Sequence, residues 1–211
     1  MQNYQLTIVI PLPDFKQIES AGEQVVICKT VNGSTGPSIA WIAFSPSVEN
    51  DLSWAENYLL YASNSNVLEG SLITSLAQSP AIATRQLPFT SSARFDSPTP
   101  DVSLPAQSYG VVNLDTTQRA TCFGLAQAAT LSGTELEASP INASLVPPKQ
   151  HAIFQPQETI QVFLAPNIDP GMVINQIKVP FISVNFSTEI RRQEIVYAPA
   201  LGNFVLVPTN R

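Results

Sequence analysis

Charged side chains are scarce in this sequence. They account for 12% of its 211 residues, about half the usual share of about 25% in soluble domains. Coiled coils and charge-rich helical bundles need far more Glu and Lys, so the composition excludes them. The ten basic residues and the net charge of -6 also argue against nucleic-acid binding, which needs clustered Lys and Arg to neutralise phosphates.

Histidine and glycine are also rare. The sequence contains one histidine, His151, and nine glycines. A Ser-His-Asp or Cys-His catalytic arrangement would have to use His151, which follows the loop-like stretch 147–150. The sequence has no nucleophile-elbow, phosphate-loop or dinucleotide-binding motif. These absences favour a protein that is not an enzyme.

The two cysteines, Cys28 and Cys122, lie in apolar stretches and far apart in sequence. Their separation does not match the spacing of zinc ligands, and no stretch of a dozen residues holds the carboxylates of a calcium loop. We therefore expect no metal site. Buried free thiols are the favoured interpretation, with a disulfide as the alternative.

Long apolar runs are missing, since the longest, such as Ile39–Phe44, are far shorter than the roughly 20 residues that cross a bilayer. The first residues, Met1 to Tyr4, enter an alternating segment at once, without the basic and apolar regions of a secretory signal. The sequence therefore predicts a cytoplasmic protein without a membrane partner.

Alternation of apolar and polar residues is the strongest pattern present. Tyr4, Leu6, Ile8 and Ile10 alternate with wetter positions, as in a half-buried strand. About a dozen such segments, separated by turn residues, predict an all-β fold, an antiparallel β-sandwich or flattened barrel, in a single domain over residues 1–211. One short helix is expected near residues 14–21, and the proline-rich segment 84–104 is expected to be a surface connection or an edge.

Aromatic residues are concentrated in two strand-like segments, Ser38–Phe44 and Ser53–Ala62. The second segment is expected to be one strand, with Trp54, Glu56 and Tyr58 on one face. Such a cluster is typical either of a core or of a small-molecule pocket, in which polar tips at Asn57, Tyr58 or Tyr61 would hydrogen-bond a planar guest. Glu56 would lie on an exposed edge or beside the rings. The candidate ligand-binding residues are Trp41, Trp54, Glu56, Asn57, Tyr58 and Tyr61.

Three segments, Tyr4–Phe15, Ala21–Ile27 and Trp54–Ser63, resemble a family of small mushroom β-sandwich proteins that includes a pink chromoprotein of oyster mushrooms. The resemblance covers the first third of the chain. It implies a fungal chromoprotein, a homodimer that holds a planar indolone-type chromophore non-covalently and catalyses no reaction. It supplies no pigment-site motif, so the candidate residues depend on the aromatic cluster alone.

Two other functions remain open at this point. Exposed Trp and Tyr with abundant Asn would also suit a cytoplasmic fungal lectin or defence protein that binds glycans, by analogy of fold. Paired carboxylates can hydrolyse glycosides without histidine, and Glu56 is the candidate for that chemistry.

Overall fold

A computed structural model describes residues 2–33, 36–117 and 120–208. Within these residues nearly all of the regular secondary structure is β-strand, with one α-helix and one 3-10 turn. In chain order the elements are β1 (Asn3–Val9), α1 (Leu12–Ser20), β2 (Glu23–Asn32), β3 (Ser38–Phe44), β4 (Glu49–Ala55), β5 (Tyr58–Ser63), β6 (Ala77–Pro80), β7 (Arg85–Thr90), β8 (Arg94–Phe95), β9 (Thr99–Pro100), β10 (Tyr109–Asn113), β11 (Thr121–Leu131), β12 (Thr134–Pro140), β13 (Ser144–Val146), β14 (His151–Pro166), β15 (Val173–Ile174), β16 (Ile182–Asn185), β17 (Arg192–Ala198), η1 (Pro199–Leu201) and β18 (Asn203–Leu206).

Two sheets pack face to face, which confirms the predicted all-β sandwich. The first sheet has the order β18-β17-β1-β4-β11-β5-β6, with β12 and β13 also paired to β11. The second has the order β15-β3-β2-β14-β10-β7-β8, with β16 on β14 and β9 on β7. Most strand pairs are antiparallel, as predicted, but both sheets are mixed, because β1 pairs in parallel with β17 and β7 with β10. The chain reaches both parallel partners through long connections that contain other strands.

The core lies between the inner faces of the two sheets. In β1 the alternating residues Tyr4, Leu6 and Ile8 are buried, and they stand opposite Trp54, Leu52 and Asn50 of β4. Inner-face residues from β1 through β18 form one connected apolar cluster. The strand alternation read from the sequence therefore identifies the inner face correctly.

The predicted helix is present as α1, which begins at Leu12, two residues before the expected start, and ends at Ser20. Pro13 occupies its first turn, where a missing N–H costs nothing, and Ile18 packs into the core. The segment 84–104 is not a bare surface connection. Leu87 and Phe89 are buried on either side of Pro88, and this alternation places β7 inside the second sheet.

The segment Ser53–Ala62 is not one uninterrupted strand. β4 and β5 both run antiparallel to β11, with Ser53 opposite Thr130 and Tyr58 opposite Gln127. The five-residue step from Ser53 to Tyr58 thus faces a three-residue step on β11. The extra residues, Glu56 and Asn57, form an irregularity similar to a β-bulge. Their side chains therefore do not follow the regular alternation of the two strands.

None of the helices in the described ranges has the length and apolar character needed to cross a membrane. Cys28 and Cys122 are both buried and are not bonded to each other, in agreement with the favoured interpretation. Burial raises the pKa of Cys28 to about 12. Burial also raises the pKa of Cys122 to about 11, although hydrogen bonds involving Tyr61 and Ser144 oppose the shift.

We predict that Gly124→Ala destabilises the fold by about 1–3 kcal/mol. A Cβ atom at Gly124 would collide with the Asn142 carbonyl oxygen and lie 2.8 Å from the ring and hydroxyl of Tyr61, which stands opposite it on β5. Urea unfolding followed by fluorescence measures the change. Gly133→Asn is the control, because the left-handed conformation there suits Asn and nothing lies near the new side chain. Equal stability of Gly124→Ala and the parent protein would contradict this account.

We also predict that stability falls as pH rises above about 8.5, the ordinary thiol pKa. In this range an unfolded Cys28 releases its proton while the native thiol keeps it, so the native state loses stability up to its raised pKa, by at most about 1.4 kcal/mol per pH unit. Unfolding of the parent and of Cys28→Ala should be measured between about pH 8 and pH 10, below the ordinary tyrosine pKa. A shallower slope in Cys28→Ala is expected, and identical slopes would refute the prediction.

Candidate functional site

A charged lysine lies between the two sheets. Lys29 has the same alternation in β2 as Val25 and Ile27, so its side chain points into the core, where its exposed fraction is 0%. Its partner, Glu158, comes from a bulge in the neighbouring strand β14. There the four-residue step from Pro156 to Ile160 faces a two-residue step from Val31 to Lys29. The bulge places Glu158 diagonally across from Lys29.

The Lys29 ammonium group is enclosed by polar atoms and by aromatic rings. It donates to both oxygens of Glu158 at 2.9 Å, to Gln127 Oε1 at 3.0 Å and to the Tyr58 hydroxyl at 3.3 Å. Nζ also lies 5.6, 5.7 and 5.3 Å from the ring centroids of Trp41, Trp54 and Tyr58. At these distances a ring face attracts a cation. We call Lys29, Trp41, Trp54, Tyr58, Gln127 and Glu158 the lysine cage.

The Glu158 carboxylate accepts hydrogen bonds on both oxygens. Besides the bonds from Lys29, Trp54 Nε1 donates to Oε2 at 2.9 Å and the Tyr58 hydroxyl donates to Oε1 at 2.8 Å. Burial lowers the pKa of Lys29, and the carboxylate opposes that shift. Burial and the charge of Glu158 raise the pKa of Tyr58 far above its ordinary value. Tyr58 is therefore a neutral donor to a charged acceptor, which is a strong class of hydrogen bond.

A cavity of about 390 Å³ opens beside the lysine cage at one end of the sandwich. β14 pairs with β10 up to Phe154 and with β16 from Thr159, so the bulge between them leaves a notch in the sheet. Four aromatic residues and two carboxylates line this cavity, which we call the tyrosine pocket: Tyr4, Glu56, Tyr58, Tyr109, Glu158 and Phe186. The Glu158 side chain, 12% exposed, connects the pocket to the cage.

The second carboxylate reaches the pocket from the other sheet. Glu56 comes from the irregularity between β4 and β5, and its Oε1 accepts a hydrogen bond from the Tyr4 hydroxyl at 2.5 Å. Burial and the adjacent Glu56 raise the pKa of Tyr4. Each sheet thus contributes one bulge, and each bulge contributes one glutamate to the same cavity.

The six predicted site residues do not form a single site. Trp41, Trp54 and Tyr58 meet in the lysine cage, and Glu56 joins Tyr58 at the tyrosine pocket. The remaining two lie elsewhere.

Asn57 is exposed and lines a different cavity with Asn3 and Glu135. Tyr61 is fully buried on the other side of its sheet, in a smaller cluster with Ile39 and Cys122, and donates to the Asn142 carbonyl at 2.6 Å.

The space expected between the aromatic residues is filled at the two indole rings. Trp41 and Trp54 are 1% and 4% exposed, and their rings meet edge to face with centroids 5.6 Å apart. Trp41 also lines a separate groove of about 490 Å³, walled by Phe44, Leu131 and Leu136. The open phenol-lined space is instead the tyrosine pocket.

Sequence reasoning missed Lys29, Gln127 and Glu158. Each occupies an inward position in its strand: Lys29 follows Val25 and Ile27, and Gln127 follows Phe123 and Leu125. Glu158 precedes Ile160 and Val162 in the same alternation. Polar residues at inward positions were therefore the available signal, because burial of such groups is costly unless they are paired.

In the described ranges no three or more His, Cys, Asp or Glu side chains come together as a group that could hold a metal ion. His151 is exposed at the start of β14 rather than in a loop, and it lines neither the lysine cage nor the tyrosine pocket. The expectations of no metal and no enzymatic activity stay predictions.

We predict that Lys29→Met destabilises the fold by about 3–5 kcal/mol, because it leaves the Glu158 carboxylate buried without its cation. The double variant Lys29→Met/Glu158→Gln should recover most of this loss, since the amide still accepts from Trp54. Arg94→Met is the matched control: the Arg94–Asp96 pair is exposed, at 3.6 Å, and its loss should change stability little. Denaturant unfolding of the four proteins tests this, and equal stability of the single and double variants would contradict it.

Comparison with known proteins adds no family to this description. No family model matches the chain, and neither a curated protein nor a solved structure matches it.

Proposed function

We propose that this protein binds a small, planar organic molecule in the tyrosine pocket without transforming it chemically. The observation that carries the proposal is the position of the Lys29–Glu158 pair, which is buried in the core yet presents its carboxylate to a cavity with aromatic walls. Replacement of a buried ion pair by apolar residues is often neutral or stabilising. The pair is therefore weakly explained by stability, and its place at a cavity favours a binding role.

The size and chemistry of the pocket support this class of ligand. Its volume of about 390 Å³ lies within the usual range of about 300–1,000 Å³ for small-molecule sites. Tyr58 and Tyr109 meet at 5.4 Å between ring centroids, and Phe186 packs against Trp54 at 4.9 Å, so the walls are held by neighbouring rings. Rigid aromatic walls favour a flat guest, because little side-chain freedom is lost on binding.

An indolone-type pigment, the chromophore implied by the resemblance, would meet these requirements. Its ring nitrogen would donate to Glu56, and its carbonyl would accept from the Tyr109 hydroxyl, which has no hydrogen-bond partner among the described residues. We accordingly place the proposed pigment in the tyrosine pocket and not between Trp41 and Trp54. The homodimer, implied by the resemblance, and the cytoplasmic location, expected from the sequence, are further parts of this proposal.

Hydrolysis by paired carboxylates is the less favoured function, although Glu56 and Glu158 share one cavity. Glu158 accepts two bonds from Lys29 and one each from Tyr58 and Trp54. A carboxylate held by that many donors has little electron density free for attack or for proton transfer. Binding without reaction fits this geometry better.

Glycan binding is a second candidate, because one observation favours it. Four amide side chains, Gln2, Gln107, Gln155 and Gln157, also line the pocket. Amides and aromatic faces together suit the hydroxyl groups and the flat faces of sugars. In this case the ligand would be colourless and would be recovered as a saccharide.

We predict that the protein purified from its native source releases a small organic compound on denaturation. Intact mass under native and denaturing conditions measures the compound, and an absorbance scan decides whether it is a pigment. Absence of absorbance above the ultraviolet would refute the chromoprotein, and a released saccharide or hits on a glycan array would favour the lectin.

Two substitutions to leucine test whether the ligand binds in the tyrosine pocket. The measured quantity is the affinity of each variant for the released compound. Tyr109→Leu removes one wall of the pocket, and we expect affinity to fall about fivefold to tenfold, the loss of about one stacking interaction. Tyr197→Leu is the control, because Tyr197 packs against Phe204 away from the pocket. Unchanged affinity of Tyr109→Leu would place the ligand elsewhere.

A further inference from the structure

Glu56 contributes an unneutralised negative charge to the tyrosine pocket. No described residue forms an ion pair with it, and its one side-chain partner is the neutral Tyr4 hydroxyl. The other carboxylate, Glu158, is already neutralised by Lys29 at 2.9 Å. The two carboxylates of the lining, together with Lys29 behind Glu158, therefore leave about one net negative charge at the cavity.

The walls of the pocket would also favour a cation. The rings of Tyr4, Tyr58, Tyr109 and Phe186 line a space that is partly shielded from water. Aromatic faces attract a positive charge, and the attraction grows when the site is desolvated. Neutral guests would gain from the rings but would leave the Glu56 carboxylate without a counter-ion.

The lysine cage, which lies in the core behind the pocket, also surrounds a cation with aromatic rings and a carboxylate. Around Lys29, three aromatic rings, one carboxylate and one amide satisfy a buried ammonium group. Tyr58 belongs to both sites, since its ring faces Lys29 and its residue lines the pocket. The tyrosine pocket thus contains the same kinds of groups as the lysine cage, aromatic rings and a carboxylate, but no lysine.

Lys29 also acts electrostatically on Glu56, but it is bound to Glu158. Arg191 is the other nearby cation that could compete for this role. It acts on Tyr4 electrostatically, but its side chain is exposed and its Nε donates to the Thr188 carbonyl at 2.9 Å. An exposed charge is screened by water and salt. Arg191 thus reduces the negative potential at the rim without occupying the space beside Glu56.

We infer that the ligand of the tyrosine pocket carries a positively charged nitrogen, with Glu56 as its counter-ion and the surrounding rings as its walls. This inference rests on the proposed binding function and names its ligand class, an organic cation. In a planar ligand the charge would lie on a protonated or alkylated nitrogen, so an indolone-type pigment would need such a cationic group beside Glu56.

Calorimetric titration with N-methylquinolinium and with quinoline, at mildly alkaline pH, tests the inference. The two rings are almost the same in shape and differ in charge. We expect the cation to bind at least about tenfold more tightly, the effect of a partly desolvated cation–ring and ion-pair contact. The protein must first be freed of any bound compound by dialysis under native conditions.

Three variants separate charge from structure. Glu56→Gln should remove most of the preference for the cation over quinoline, because the site then lacks its counter-ion. Glu19→Gln makes the same charge change at an exposed position of α1 and should alter binding of neither compound. Arg191→Gln should leave binding of the cation unchanged or stronger. The inference would be overturned if Glu56→Gln still bound the cation more tightly than quinoline by the same factor. It would also be overturned if Arg191→Gln bound the cation more weakly than the parent protein does.

The outcomes also distinguish the inference from the proposed function. If N-methylquinolinium and quinoline bind with equal affinity, and Tyr109→Leu weakens both, the tyrosine pocket binds ligands but has no preference for a cation. The same conclusion holds if neither ring binds while a neutral native compound does. If neither ring binds and the native protein releases nothing, both the binding function and its ligand class are wrong.

Discussion

The ion pair of Lys29 and Glu158 is the constraint on which the rest of this end of the molecule depends. Transfer of each charge from water into the core costs several kcal/mol, and the pair is tolerated only when every remaining donor and acceptor is satisfied. Gln127, Tyr58 and Trp54 meet that requirement from the opposite sheet. Their positions restrict how the two sheets can be aligned. If a strand shifted by one residue, the polar side chain that it contributes to the lysine cage would move to the opposite face of the sheet.

The bulge that delivers Glu158 also creates the pocket. Regular pairing of β14 with one long partner would close the sheet at residues 155–158, but the extra residues there separate the region paired to β10 from that paired to β16. In the other sheet, the irregularity at Glu56 lies at the same end of the sandwich. Two departures from ideal strand geometry thus border the cavity, as is common beside functional sites.

Strand alternation made much of this fold predictable. Period-two patterns identified the inner faces, and the aromatic cluster pointed to Trp41, Trp54 and Tyr58, which do come together. The pairing of Lys29 with Glu158 spans 129 residues, and no local pattern reports which distant strands become neighbours. The bulges were equally hidden, so Glu56 was assigned to a regular strand face. Tyr61 belongs to the opposite face of its sheet, as the alternation of β5 requires.

For the proposed binding function, the hydrogen bonds of Tyr58 and Tyr61 restrict how a guest would be recognised. The Tyr58 hydroxyl donates to Glu158 and accepts from Lys29, and Tyr61 donates to a backbone carbonyl, so neither phenol has a donor to offer a ligand carbonyl. Recognition of polar atoms is left to Glu56, Tyr109 and the glutamines of the rim. Tyr58 contributes its ring alone, and that ring is immobilised by the ion pair behind it. In the proposed function the buried charges would therefore act on binding through the rigidity of an aromatic wall, since a preorganised surface loses less entropy when a guest binds.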